Sequence, residues 1–246
     1  MTPPEKSTDP ARRTRRLGLR LGLGGLAAVL VAVPFTLLTL LVLGGSQRLE
    51  DADRSVADAF HARVLPRPWL AQTFDVLSVV THPNTWRLVA AAVAVVLWRR
   101  GRRRLVAWLV VTMTVGGLLG PLLKEVVARS RPVFDDPVAT AGGYSFPSGH
   151  ALNSMLFAAA ILVLGHPATR GGRRAALWAG AVVVVAVTAV DRLALGVHYA
   201  SDVLAGWVVA LATVCATTAA FAIWRTQEGL PPASADAGLD PQRSPR

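Results

Sequence analysis

Charge and sulfur are both scarce in this chain. Only 17% of its 246 residues are charged against 52% hydrophobic, and the mean hydropathy is +0.44. An ordinary soluble domain carries about a quarter charged residues, so that class is excluded. The single cysteine, Cys215, lies inside an apolar run, so no internal disulfide can form and thiols say nothing about compartment. It reads as a small packing residue. Lysine is nearly absent, with two residues against 24 arginines. No internal repeat is evident. The net charge of +11 would on a soluble protein suggest a nucleic-acid partner. Here the charge falls between apolar runs, so it reports membrane topology, and no nucleic-acid partner is expected.

The apolar half of the chain is gathered into long stretches. Six spans of about 20 residues use roughly 120 residues, which matches that half and leaves no sizeable soluble core. The runs lie at about 21–43, 83–99, 105–123, 149–165, 175–190 and 201–224. A basic arm, 1–20, precedes the first run, which is too long for a signal-peptide core and lacks a small-residue cleavage site; it reads as a retained span. Residues 46–68 mix Glu50, Asp51, Asp53 and Asp58 with arginines and place Val56, Ala57 and Phe60 at helical spacing, as in an interfacial amphipathic segment. The short apolar stretch 70–80 is cut off by His82-Pro83-Asn84. The tail, 226–246, has the composition of a disordered segment.

These features predict an all-α, polytopic membrane bundle of six helices in one domain, 21–225, in the cell membrane. The arginine-rich loops at 99–104 and 170–174 fall on the same side as the basic arm and Arg225, so both termini are expected in the cytoplasm. The segments 124–150 and 191–202 are then extracytoplasmic.

Those two segments hold nearly all the polar side chains bordering the apolar runs, where ionisable groups are costly enough to be functional candidates. Lys124 ends the third span and is followed by Arg129, Arg131 and Pro132. Next comes Ser-Phe-Pro-Ser-Gly-His, in which Pro147 and Ser148 suit a helix start and Gly149 lets backbone amides approach an anion. The third part carries Arg192, His198 and Asp202. On a helix, His198 and Asp202 share a face, and the carboxylate can orient the imidazole. Three cations, amide donors for a tetrahedral oxyanion and two histidines suit phosphoryl transfer: one imidazole attacks phosphorus and the other protonates the departing oxygen.

With these residues in this order, the chain resembles the type 2 phosphatidic acid phosphatase (lipid phosphate phosphatase) family. The family signature is a lysine, six residues and Arg-Pro; then Pro-Ser-Gly-His; then Ser-Arg, five residues, His, three residues, Asp. Here the parts read Lys124 to Arg131-Pro132, Pro147 to His150, and Asp191-Arg192 to His198 to Asp202. The resemblance implies that His198 is the nucleophile that becomes phosphohistidine, Asp202 orients it and His150 is the general acid. It implies that Lys124, Arg131, Ser148, Gly149 and Arg192 bind phosphate. No metal or other cofactor is expected, since nothing supplies the clustered His and carboxylate set of a two-metal phosphatase. The expected partners are the bilayer and a lipid phosphate carrying a phosphomonoester or diphosphate, of the phosphatidic acid, phosphatidylglycerol phosphate or polyprenyl diphosphate class. Asp191 departs from the family, which has a small residue there; it could repel substrate or pair with Arg192 or Arg129.

Other readings stand beside this one. The same phosphohistidine could pass its phosphoryl group to an alcohol. A transporter would place its charges near mid-bilayer, whereas these sit at span ends. A degenerate member could bind lipid without turning it over. His61, His82 and His166 read as satisfied interfacial residues, and Arg129, Asp135 and Asp136 as solvated loop charges.

Overall fold

The computed structural model describes residues 33–227, with side chains described as far as Phe221. The basic arm and the tail beyond Gln227 lie outside the described residues. Within them the chain is all-α, as expected, with α1 (Val33–Leu43), α2 (Gln47–Val64), α3 (Pro68–Val80), α4 (Pro83–Arg99), α5 (Arg103–Val127), α6 (Gly149–Gly165), α7 (Gly171–Ala194) and α8 (Ala200–Gln227). Proline opens α3 and α4, where its missing N–H costs no hydrogen bond.

Three helices, α5, α7 and α8, are long and apolar enough to cross a membrane. At about 1.5 Å per residue, α5 extends roughly 37 Å, more than the roughly 30 Å of a hydrocarbon core. The helices α1 and α6 are apolar but shorter. Large apolar side chains point outward along the bundle: Leu118, Leu122 and Val126 on α5, Val182 and Val183 on α7, Leu88 on α4. Water would penalise such a surface and lipid does not.

The central helix is α6, which packs against α4, α5, α7 and α8. Its sequence is apolar on all sides, the pattern of a helix buried all round. The core around it is built from Trp108, Leu109 and Met113 of α5, Leu152, Leu156 and Ala160 of α6, and Val209, Ala210 and Val214 of α8. A polar pair also lies inside this core. The Thr112 and Thr217 hydroxyls meet at 2.9 Å across α5 and α8, and each is within reach of a carbonyl of its own helix, so one hydroxyl donates to the other and the second donates to its carbonyl. Where α6 and α8 begin, their backbones nearly touch. A Cβ on Gly206 would lie 2.8 Å from the Ser148 carbonyl oxygen, so only glycine permits the approach. The Ser148 amide donates to the Asp202 carbonyl across the same gap at 2.9 Å.

The amphipathic stretch forms α2, with Asp53, Ala57 and Val64 buried. It rests on α7 and α8.

Candidate active site

One end of the bundle gathers the polar groups. It is formed by the C-termini of α3, α5 and α7, the N-termini of α4, α6 and α8, and the segment 128–148. The arginine-rich loops lie at the other ends of α4, α5, α6 and α7.

The last turn of α7 sets the position of His198. The Val197 amide donates to the Arg192 carbonyl and the Gly196 amide to the Leu193 carbonyl, a closed helix end that requires a left-handed residue between them. Gly196, with φ of 68°, fills that place, and a Cβ there would lie 3.1 Å from Phe134. The chain therefore turns sharply and delivers His198 beside the helix it has just left. Sequence spacing places His198 on one helix face with Asp202; the structure corrects this, because α8 starts only at Ala200. The carboxylate still reaches the ring: Asp202 Oδ2 lies 3.4 Å from His198 Nδ1, long for a hydrogen bond, and accepts from the Tyr199 amide at 2.9 Å.

Arg131 Nη1 lies 3.2 Å from His198 Nε2 and 2.6 Å from the Val197 carbonyl. A guanidinium only donates, so Nε2 must accept and the ring proton sits on Nδ1, facing Asp202. Burial pushes His198 down to about 4; Asp202 opposes that shift, while Arg131 and Lys124 add to it. At neutral pH the ring is a neutral base with its lone pair on Nε2.

The remaining cations are held by the 128–148 segment and by α7. Lys124 donates to the Tyr144 carbonyl, and Arg131 donates to the carbonyls of Gly142, Gly143 and Tyr144. The two share one acceptor, so they converge. Arg192, buried at 4% exposure, donates through Nε and Nη2 to Asp191 Oδ2, which also accepts from Thr81 Oγ1 at 3.3 Å. Of the two partners open to Asp191 on sequence, Arg192 is therefore the one it takes. Burial pushes the Arg131 pKa down and the like charge of Arg192 adds to that, against the pull of Asp202. This places all three groups in one field.

Ser148 caps α6 by accepting from the Ala151 amide at 3.5 Å, and Gly149 opens the helix with open space where a Cβ would stand. His150 follows in the first turn. Its Nε2 is buried without a hydrogen-bond partner among the described residues, and its ring stands edge-on to His82 at 5.5 Å. His82 thus borders the site. His61 stacks on Phe134 at 4.0 Å, and His166 accepts from Trp178 Nε1 at the far end of α6.

Two residues escaped the sequence reading. Arg129 is no solvated loop charge: Nη1 donates to Asp202 Oδ1 and Ser201 Oγ, both at 2.7 Å, and Nη2 donates to Asp53 Oδ2 at 2.8 Å. Its guanidinium also lies over the Tyr199 ring at 4.3 Å. Burial works against its charge, but Asp202 and Asp53 more than offset this and raise its pKa. Asp53 lies 2% exposed on α2 and also accepts from the Ser201 amide at 3.0 Å. A signal for it existed: Asp53 is in register with Ala57, Phe60 and Val64 on the apolar face of α2. Among the described residues no group of three or more His, Cys, Asp or Glu is placed to hold a metal ion.

The pattern of the PAP2 superfamily matches residues 105–225. The chain is 35% identical over 167 residues to decaprenylphosphoryl-5-phosphoribose phosphatase of Mycobacterium tuberculosis, covering 65% of this chain and 86% of that protein. It is 26% identical over 170 residues to phosphatidylglycerophosphatase B of Bacillus subtilis, covering 66% of this chain and 80% of that one. The crystal structure of the PAP2-type phosphatidylglycerolphosphate phosphatase from Bacillus subtilis superposes with a TM-score of 0.65 at 22% identity, over 83% of this chain and 97% of that one.

Proposed function

The chain belongs to the PAP2 superfamily, and from that premise we propose that it is a membrane lipid phosphatase working through a phosphohistidine on His198. The observation that carries the reading is the placement of one imidazole: Nδ1 faces the Asp202 carboxylate, and Nε2 faces the Arg131 guanidinium. A headgroup phosphate enters among Lys124, Arg131, Arg192 and the first amides of α6, and draws Arg131 off Nε2. The Nε2 lone pair then forms a bond to phosphorus while the bond from phosphorus to the lipid oxygen breaks, and His150, which takes up a proton as the phosphate anion binds beside it, gives that proton to the departing oxygen. Asp202 stabilises the resulting cationic ring. Neutral His150 next takes a proton from water, whose oxygen attacks phosphorus and releases phosphate, restoring both histidines.

The substrate class is an amphiphile bearing a terminal phosphate, since a site at the end of membrane helices can take a headgroup while the tail stays in lipid. The two relatives named above act, by their names, on a prenyl-linked phosphoribose and on phosphatidylglycerophosphate. The test is phosphate release by the purified protein from phosphatidic acid, phosphatidylglycerol phosphate and polyprenyl phosphates and diphosphates, with chelator present. Release is expected to persist in chelator, because protein cations carry the phosphoryl charge, and to stop with vanadate, which mimics the five-coordinate transition state. No release from any of these, or loss in chelator reversed by a divalent ion, would refute the assignment.

The orientation proposed is six spans, α1 and α4 to α8, with the site outside and the arginine loops at 99–104 and 170–174 inside. Gly142→Cys, made in a Cys215→Ala background, is expected to react with an impermeant maleimide in intact cells. Labelling only after lysis would invert the arrangement.

A further inference from the structure

Four groups beside the nucleophile form a chain that the signature residues do not account for. Asp202 uses both oxygens: Oδ2 faces His198 Nδ1 and the Tyr199 amide, and Oδ1 accepts from Arg129. Arg129 spans on to Asp53, and Asp53 in turn accepts from the backbone amide and the hydroxyl of Ser201. Asp53 thereby caps the helix that carries Asp202, from 148 residues earlier in the chain. The buried charges alternate: Asp53 negative, Arg129 positive, Asp202 negative, then the imidazole. A lone arginine on Asp202 would draw that carboxylate's field away from the ring. A second carboxylate behind the arginine returns it.

We propose that Asp53 and Arg129 are a positioning pair for the nucleophile, in which Asp53 neutralises Arg129 and holds it on Asp202, leaving Asp202 its full charge for the cationic ring of phosphohistidine. The proposal rests on the phosphohistidine reading above. It gives α2, which carries none of the signature, a part in the reaction.

The test uses the full-length protein in detergent, with kcat, KM and the pH dependence of kcat/KM on one lipid phosphate. The groups facing His198 are Asp202 from α8, Arg131 from the 128–148 segment, Lys124 from α5 and His150 from α6. All are left intact. Asp53→Asn keeps an oxygen for the Ser201 amide but removes the charge. It is expected to lower kcat about tenfold or more, change KM less than about threefold, and move the acid limb about half a pH unit lower, because a negative charge has left the field of the ring. Arg129→Gln removes a positive charge and is expected to move that limb the other way. The double variant restores the net charge of the cluster and should return the limb toward wild type. A helix cap acting only on stability would alter melting and leave the limb in place.

The idea is overturned if Asp53→Asn has wild-type kcat and acid limb, or if both single variants shift the limb in one direction. Should either single variant fail to melt cooperatively, the double variant is compared with wild type directly. It is then expected to fold and keep the limb, and its collapse or a displaced limb counts against the pair. A wild-type protein without phosphatase activity refutes the function itself, whereas an active wild type with an indifferent Asp53→Asn refutes only the pair.

Discussion

His198→Ala is expected to abolish turnover, with a loss of about 10⁴-fold or more in kcat, the scale seen when a covalent nucleophile is removed. No other described side chain offers phosphorus an unprotonated nitrogen held from behind by a carboxylate. The fold should tolerate the change, because Asp202 keeps its bonds from Arg129 and the Tyr199 amide, and Arg131 keeps four carbonyl acceptors. The variant should therefore melt like wild type and still bind a lipid phosphate. Rapid denaturation of the wild type during turnover should trap an acid-labile, base-stable phosphoryl group, which the variant lacks. Activity within tenfold of wild type in a well-folded His198→Ala protein would remove the covalent mechanism.

His150→Gln carries the second large effect, and its dependence on the leaving group is what identifies the role. Protonation of a departing oxygen contributes about 10²- to 10⁴-fold. A lipid alkoxide is a poor leaving group and needs that proton, so the loss of kcat on lipid phosphates should fall in this range. Nitrophenolate departs without a proton, so on p-nitrophenyl phosphate the loss should shrink to within about tenfold if phosphohistidine formation limits the rate. Equal losses on both substrates would mean that His150 binds phosphate and is not the acid. The buried, unpartnered Nε2 of His150 fits a group that waits for a substrate oxygen.

The residues proposed to bind phosphate stand out in the sequence because that chemistry demands particular side chains at particular intervals around helix ends. Pro147, Ser148 and Gly149 announce a helix start, and α6 begins at Gly149. The supporting residues were not legible, since an aspartate in a polar stretch and an arginine in a loop resemble solvated charge until tertiary packing buries them. Asp53 sits among Glu50, Asp51, Arg54 and Asp58, and only its register with the apolar face of α2 distinguishes it. Arg129 lies two residues from Arg131, yet the two point to different partners, one to carboxylates and one to carbonyls and His198. The pairing of Asp191 with Arg192 was among the options the sequence allowed, and only coordinates choose between them. Helix count was less legible, because α4, α6 and the described part of α1 are shorter than a full span and the length rule alone does not place them.

The near-contact of α6 and α8 at Gly206 has a bearing on how such a protein can diversify. The Ser148 amide and the Asp202 carbonyl tie the start of α6 to the first turn of α8, and Gly206 lets the two main chains approach. Residues that face lipid on α5 and α7 lie on other surfaces and take no part in that fit. On the proposed function, the reacting groups and the apolar outer surface are thus separable inheritances: apolar positions can drift to suit a new lipid while the starts of α6 and α8 stay tied to each other.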